Sequence, residues 1–170
     1  MLDQLEQQTD ADGTVTTFAY DKAGRVESTT RAVGTAEVRT QKVRYDGVGR
    51  VTGELSARGV LQLRDGQTQP EIDAVWAQFG TTYTYDLGGR RTSQTVSDGT
   101  NTQRTIFFYN EDGQVTHTIN ALGEVQENQY NGLGQLVNTI SYGGRLSAAT
   151  FNNLQGDSPT RRSATRCRSC

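Results

Sequence analysis

Apolar side chains along this chain come in short alternating runs rather than in blocks. TVTTFAY (Thr14 to Tyr20), RTIFFY (Arg104 to Tyr109) and VTHTI (Val115 to Ile119) are rich in Thr, Val, Tyr and Phe, the residues that suit a pleated, half-buried backbone. A period of two predicts strands with one face toward a core and one toward water. That core face is thin. In GEVQENQY (Gly123 to Tyr130) one side carries almost no apolar group, so such a strand needs neighbours on both edges to be stable.

Between the runs, one turn motif recurs five times in the frame Tyr-(Asp/Asn)-x-x-Gly-(Arg/Gln). The copies are Tyr20, Asp21, Gly24, Arg25; Tyr45, Asp46, Gly49, Arg50; Tyr85, Asp86, Gly89, Arg90; Tyr109, Asn110, Gly113, Gln114; and Tyr130, Asn131, Gly134, Gln135. Asp or Asn after a strand accepts backbone N–H groups two residues on, and a glycine three positions later supplies the left-handed conformation of a bulged turn. Each copy is therefore the tip of an antiparallel β-hairpin. Copies with Asp carry Arg and copies with Asn carry Gln, so charge leaves both positions together. This covariation predicts a direct contact between the two side chains, ionic in three copies and a neutral amide pair in two. Repetition of one unit predicts a surface or wall rather than a single pocket.

The repeat tyrosines are 25, 40, 24 and 21 residues apart, and the long interval holds an insertion at about 68–80. Within QPEIDAVWAQFG, Ile72, Val75, Trp76 and Phe79 fall at i, i+3, i+4 and i+7, with Pro70 and Glu71 at the start and Gly80 just past the end. That spacing predicts a short amphipathic helix over 70–79, anchored by Trp76. A second short helix is expected over 147–154, with Ser147 as its cap and Ala148, Phe151 and Leu154 on one face. The remainder reads as strands and turns, with further turns at Asp12-Gly13, Asp65-Gly66, Asp98-Gly99 and Gly143-Gly144. The fold class is thus all-β: consecutive antiparallel hairpins with one inserted helix. Three segments follow: a repeat sheet over 1–144, a connector over 145–156, and a basic tail over 157–170 that is expected to be disordered.

Composition sharpens this. Of 170 residues 33% are hydrophobic and 19 are glycine, with a net charge of −2. Charges are scattered singly, which argues against a nucleic-acid partner. The exception is the tail, with Arg161, Arg162, Arg166 and Arg168. No apolar stretch is long enough for a membrane span, and MLDQLEQQ lacks the features of a signal peptide.

Candidate chemistry is sparse, and neither a catalytic residue, a metal site nor a cofactor site is nominated. His117, the single histidine, sits in an alternating strand. No G-x-S-x-G elbow accompanies it. Asp10-Ala11-Asp12-Gly13 opens like a calcium loop but lacks the later ligands, so a β-turn is expected. Cys167 and Cys170 have CxxC spacing at the end of the tail, without a scaffold or a second pair for zinc.

On the five motif copies, over about 14–144, the chain resembles the Rhs or YD-repeat family of bacterial surface and toxin proteins. The resemblance implies hairpins wound into a curved or spiral sheet that closes as a hollow shell, which in toxin members encloses a C-terminal effector. What it carries to individual residues is structural only: the motif tyrosines and turn residues. The chain has far fewer copies than a closed shell uses, and DSPTRRSATRCRSC departs from the family's character. It is therefore expected to be a fragment of a larger protein, secreted or displayed on a cell surface. The expected function is a non-enzymatic wall segment, partnered by the remaining repeats or an enclosed effector. The alternative is an adhesive module binding carbohydrate or a cell surface through exposed Tyr, Thr and Gln. Inward-facing repeat tyrosines would favour the first; an exposed aromatic row would favour the second.

Overall fold

The computed structural model describes residues 4–154 and 156. The alternating runs form strands, and the glycine-containing turns reverse the chain between them. Eleven strands result: β1 (Gln7–Thr9), β2 (Val15–Tyr20), β3 (Val26–Arg31), β4 (Arg39–Tyr45), β5 (Val51–Leu55) and β6 (Gly80–Tyr85). They continue as β7 (Arg91–Ser97), β8 (Thr102–Tyr109), β9 (Val115–Ile119), β10 (Glu124–Tyr130) and β11 (Leu136–Arg145). They form one open antiparallel sheet whose strand order follows the chain order. Every pairing is therefore local in sequence, and the fold is the all-β hairpin series that the alternation predicts.

The chain divides into two compact units, one running through Thr82 together with Val96–Thr102, the other made of Tyr83–Thr95 and the residues from Gln103 onward. In the first unit the insertion between β5 and β6 packs against β5 and adds Trp76 to the buried core. It holds α1 (Ala57–Val60) and α2 (Gln69–Phe79). Glu71 accepts hydrogen bonds from both the Thr68 N–H and the Thr68 hydroxyl, at 2.7 and 2.8 Å, which fixes the start of α2. Trp76, 5% exposed, and Leu55, 1% exposed, are its buried apolar residues. The indole lies over Gly53, where an added Cβ would meet Trp76 Cε3 at 3.0 Å. Arg44, the register partner of Gly53, also lies over the ring, 4.2 Å from its centroid, and pairs with Asp73 at 2.6 Å.

The one-turn helix α1 departs from the sequence expectation of strands and turns throughout. Only four residues long, it is too short for a periodic signal. Gly59 lets it rest on β5, since a Cβ there would fall 2.4 Å from Leu55 Cδ1. Gly143-Gly144, expected as a turn, instead continues β11. The pair sits where the register shifts from Gln126↔Ser141 to Glu124↔Arg145, so the glycines are absorbed in an irregularity of the strand.

In the second unit Ile106, Tyr109 and Ile119 are buried, with Ile106 directly opposite Ile119 across β8 and β9. The core also holds hydroxyls: Thr92 and Ser93 are buried and bond to Thr84 Oγ1 at 2.8 and 2.7 Å, which satisfies them without apolar partners. Helix α3 (Ala148–Asn153) is capped by Ser147, whose hydroxyl accepts from the Thr150 N–H at 3.1 Å. Its C-terminus is held by Arg104, which donates to the Leu154 carbonyl at 2.9 Å. The basic tail over 157–170, with Cys167 and Cys170, lies outside the described residues.

Candidate functional site

The five motif turns share one geometry. In each, the Asp or Asn N–H donates to the carbonyl of the Arg or Gln four residues on, and the glycine N–H donates back to the Asp or Asn carbonyl, all at 2.8–3.1 Å. Each glycine has φ between 77° and 92°, the left-handed region that a side chain disfavours. The register slips by one residue beside Tyr20, Tyr45, Tyr109 and Tyr130, the mark of a bulged hairpin end. Each motif turn joins an even-numbered strand to the following odd-numbered one, so within each unit these turns fall at one end of the strands.

The covarying side chains meet. Asp21 accepts the Arg25 N–H with one oxygen at 2.9 Å and Arg25 Nε with the other at 2.7 Å. Asp46 and Arg50 repeat this at 2.9 and 2.6 Å, and Asp86 and Arg90 at 2.8 and 2.7 Å. In the neutral copies Asn110 Nδ2 donates to Gln114 Oε1 at 2.7 Å, and Asn131 Nδ2 to Gln135 Oε1 at 2.9 Å. The Arg25 N–H, then the Arg25 guanidinium, hold the Asp21 carboxyl below the ordinary aspartate value. For Asp46 and Asp86 desolvation is the largest single influence and pushes upward. Hydrogen bonds from the N–H and guanidinium of Arg50 and Arg90 outweigh it, so both carboxyls also lie low.

Motif residues also reach sideways to the neighbouring repeat, which the spacing did not reveal. The Tyr45 hydroxyl donates to the Val26 carbonyl at 2.8 Å, Tyr109 to Arg91 at 2.6 Å, and Tyr130 to Val115 at 2.9 Å. In every case the acceptor follows the Arg or Gln of the preceding repeat. That Arg or Gln reaches forward: Arg25 to the Asp46 carbonyl at 3.0 Å, Arg90 to that of Asn110 at 3.1 Å, Gln114 to that of Gly134 at 2.7 Å. Arg25 and Arg90 also lie over the rings of Tyr45 and Tyr109, at 4.5 and 5.2 Å. Tyr109 is buried and the other motif tyrosines are half-buried. Burial, followed by the Asp86 charge, pushes the Tyr109 phenol upward.

Two further units emerge. Asn120 and Glu124 form the same turn around Gly123, with Asn120 Nδ2 donating to Glu124 at 2.7 Å, but Ile119 stands where the motif has tyrosine. At the other end Gln4 donates to the Gly24 carbonyl at 3.2 Å, and the Leu5 carbonyl accepts the Tyr20 hydroxyl at 2.8 Å. Gln4-Leu5 thus fills the place of a motif Gln and the residue after it.

Elsewhere, a groove of about 430 Å³ opens between β4 and the inserted helices. Its lining mixes Glu27 and Asp65 with Lys42, Arg44 and Arg64 and contains no His, Cys or Ser. His117 sits in β9 opposite Phe108 and Glu127. Among the described residues no group of three or more His, Cys, Asp or Glu is placed to hold a metal ion, and no helix is long and apolar enough to cross a membrane.

A sheet of bulged hairpins, in which a tyrosine hydroxyl and an Arg or Gln side chain bond the Tyr20 hairpin to the Tyr45 hairpin and the Tyr85, Tyr109 and Tyr130 hairpins in series, defines a tandem-hairpin repeat protein. The sequence profile of the RHS repeat matches residues 2–36, and over those residues the chain is similar to the RHS repeat family. Among curated protein sequences none matches. Solved structures agree in fold. The chain is similar to a crystal structure of TcdB2-TccC3-Cdc42, at 20% identity and a TM-score of 0.56 over 76% of its length. It is also similar to one of TcdB2-TccC3, at 15% identity and a TM-score of 0.57 over 82%. It spans only 6% and 8% of those two chains.

Proposed function

We propose that the chain is a non-enzymatic wall segment of a toxin-related Rhs shell, and that such a shell encloses or presents an effector polypeptide. The observation that carries this reading is the sideways ladder. The hydroxyls of Tyr20, Tyr45, Tyr109 and Tyr130 are spent on carbonyls of the neighbouring repeat, so the motif's most conspicuous side chain joins repeat to repeat and is not offered to a ligand. The role of the motif residues is therefore architectural, and a shell would place the protein outside the cell or on its surface.

Electron microscopy of the polypeptide in which these repeats occur, combined with proteolysis, tests this. The expected result is motif hairpins within a closed wall and a protease-resistant segment inside it. Hairpins projecting as a free stalk, with the tyrosine rows binding glycans on an array, would overturn it in favour of the adhesive reading.

A further inference from the structure

The groove between β4 and the inserted helices lies wholly within the first unit, over a strand flanked on its two sides by β3 and β5. Its floor is therefore interior to the sheet and does not depend on where the sheet ends. The hairpin series does not require it either. Three of the four intervals between motif tyrosines take 21–25 residues, whereas the one that holds α1 and α2 takes 40. The added residues build a cavity of about 430 Å³, within the size range of small-molecule sites.

The charges that line it are of two kinds. Glu27, Arg64 and Asp65 are exposed, so water screens them. Lys42 and Arg44 are half-buried and share one face of β4, two residues or about 7 Å apart. Arg44 is already engaged, by Asp73 and by the Trp76 ring. Lys42 is not. The residues opposite it are Ser28 on β3 and Leu55 on β5, neither of them acidic, and its ammonium has no ion pair or hydrogen bond among the described residues. The remaining lining is largely apolar, with Val60, Leu63, Ile72 and Trp76.

A half-buried cation without a partner, set beside an apolar wall, suits one anionic group joined to an apolar body. We propose that the groove binds a small amphipathic carboxylate, whose carboxyl group accepts from Lys42 and whose apolar part lies along Ile72 and Trp76. Charge assistance makes such a hydrogen bond about twice as strong as a neutral one. A carboxylate suits the groove better than a phosphate, because the half-buried guanidinium fork that would grip a dianion, that of Arg44, is spent on Asp73. An uncharged apolar ligand would desolvate Lys42 without compensation, and a cationic one would be repelled by it. This site is separate from the tyrosine ladder and does not rest on the wall reading.

The test is a titration of the full chain with terminally brominated decanoate, followed through the fluorescence of Trp76, the single tryptophan, which bromine quenches on contact. Saturable quenching at one molecule per chain is expected, and unlabelled decanoate should relieve it about tenfold more effectively than decanol does. Lys42→Met is expected to weaken binding about tenfold, and Lys42→Arg, which keeps the charge, to restore most of it. Lys22→Met, in the exposed part of the Tyr20 turn, should leave it unchanged. Absence of saturable quenching, decanol as effective as decanoate, or Lys42→Met binding as tightly as the parent overturns the proposal. Should Lys42→Met not fold, the comparison of decanoate with decanol on the parent chain decides it alone.

Discussion

Exchanging the ionic turn pair for its neutral counterpart gives a quantitative handle on the repeat. In the Asp86 turn, Asp86→Asn replaces the oxygen that lies 2.7 Å from Arg90 Nε with an amide donor, so two N–H groups face each other. The acceptor for the Arg90 N–H, at 2.8 Å, survives on the other side of the group. With the Arg90 side chain 27% exposed, solvent screens part of the loss, and the single change is expected to destabilise by about 1–1.5 kcal/mol. Arg90→Gln alone removes the ionic pair and the bond to Asn110 and costs about 1 kcal/mol. Made together, the two substitutions recreate the arrangement of Asn110 and Gln114, in which the Asn amide donates to the Gln oxygen at 2.7 Å. The double variant is therefore expected to be more stable than the sum of the singles by about 1 kcal/mol, or about 2–4 °C for a chain of this size. Urea unfolding of the four proteins by far-UV circular dichroism measures this coupling. Additivity to within about 0.3 kcal/mol would show that the sequence covariation does not reflect a physical contact.

Leu55→Ala empties a fully buried position in the first unit and is expected to cost about 2–4 kcal/mol, while Gly59→Ala drives a methyl against Leu55 and is expected to cost about 1–3 kcal/mol. Urea unfolding monitored by the fluorescence of Trp76, the single tryptophan, reads both. The folded-state carboxyls of Asp21, Asp46 and Asp86 lie below the ordinary aspartate value of 3.8, so their contribution is present above that pH and is lost as pH falls through the depressed values. An acid titration by circular dichroism from about pH 5 to about pH 2 should show the Asp86→Asn, Arg90→Gln double variant to be less acid-sensitive than the parent; equal sensitivity would assign the acid response to other groups.

Local features of the fold were legible because they are written in adjacent residues. The hairpin tips follow from Asp or Asn and Gly at fixed offsets, and the pairing within each tip from the covariation of two positions. α2 follows from the spacing of Ile72, Val75, Trp76 and Phe79, although the Thr68–Glu71 cap that starts it one residue earlier than Pro70 was overlooked. The sideways ladder was not legible. It joins residues about 20 positions apart, and spacing does not reveal strand register. Asn120 to Glu124 carries no tyrosine and so does not match the motif frame; Ile119 meets the strand's need for a buried apolar residue without a hydroxyl. Gln4-Leu5 shows only half of the motif. Its signal is a Gln followed by an apolar residue at a strand start, as in Gln114-Val115 and Gln135-Leu136.

The account rests on the tyrosine hydroxyls joining one repeat to the next, and Tyr109→Phe tests this most directly. Tyr109 is 8% exposed and its hydroxyl donates to the Arg91 carbonyl at 2.6 Å, so removing that one oxygen leaves a strand acceptor without its partner in a buried setting. Urea unfolding is predicted to show a loss of about 1–2 kcal/mol, with the far-UV spectrum unchanged in native buffer. A variant as stable as the parent would contradict the ladder as the element that joins one repeat to the next.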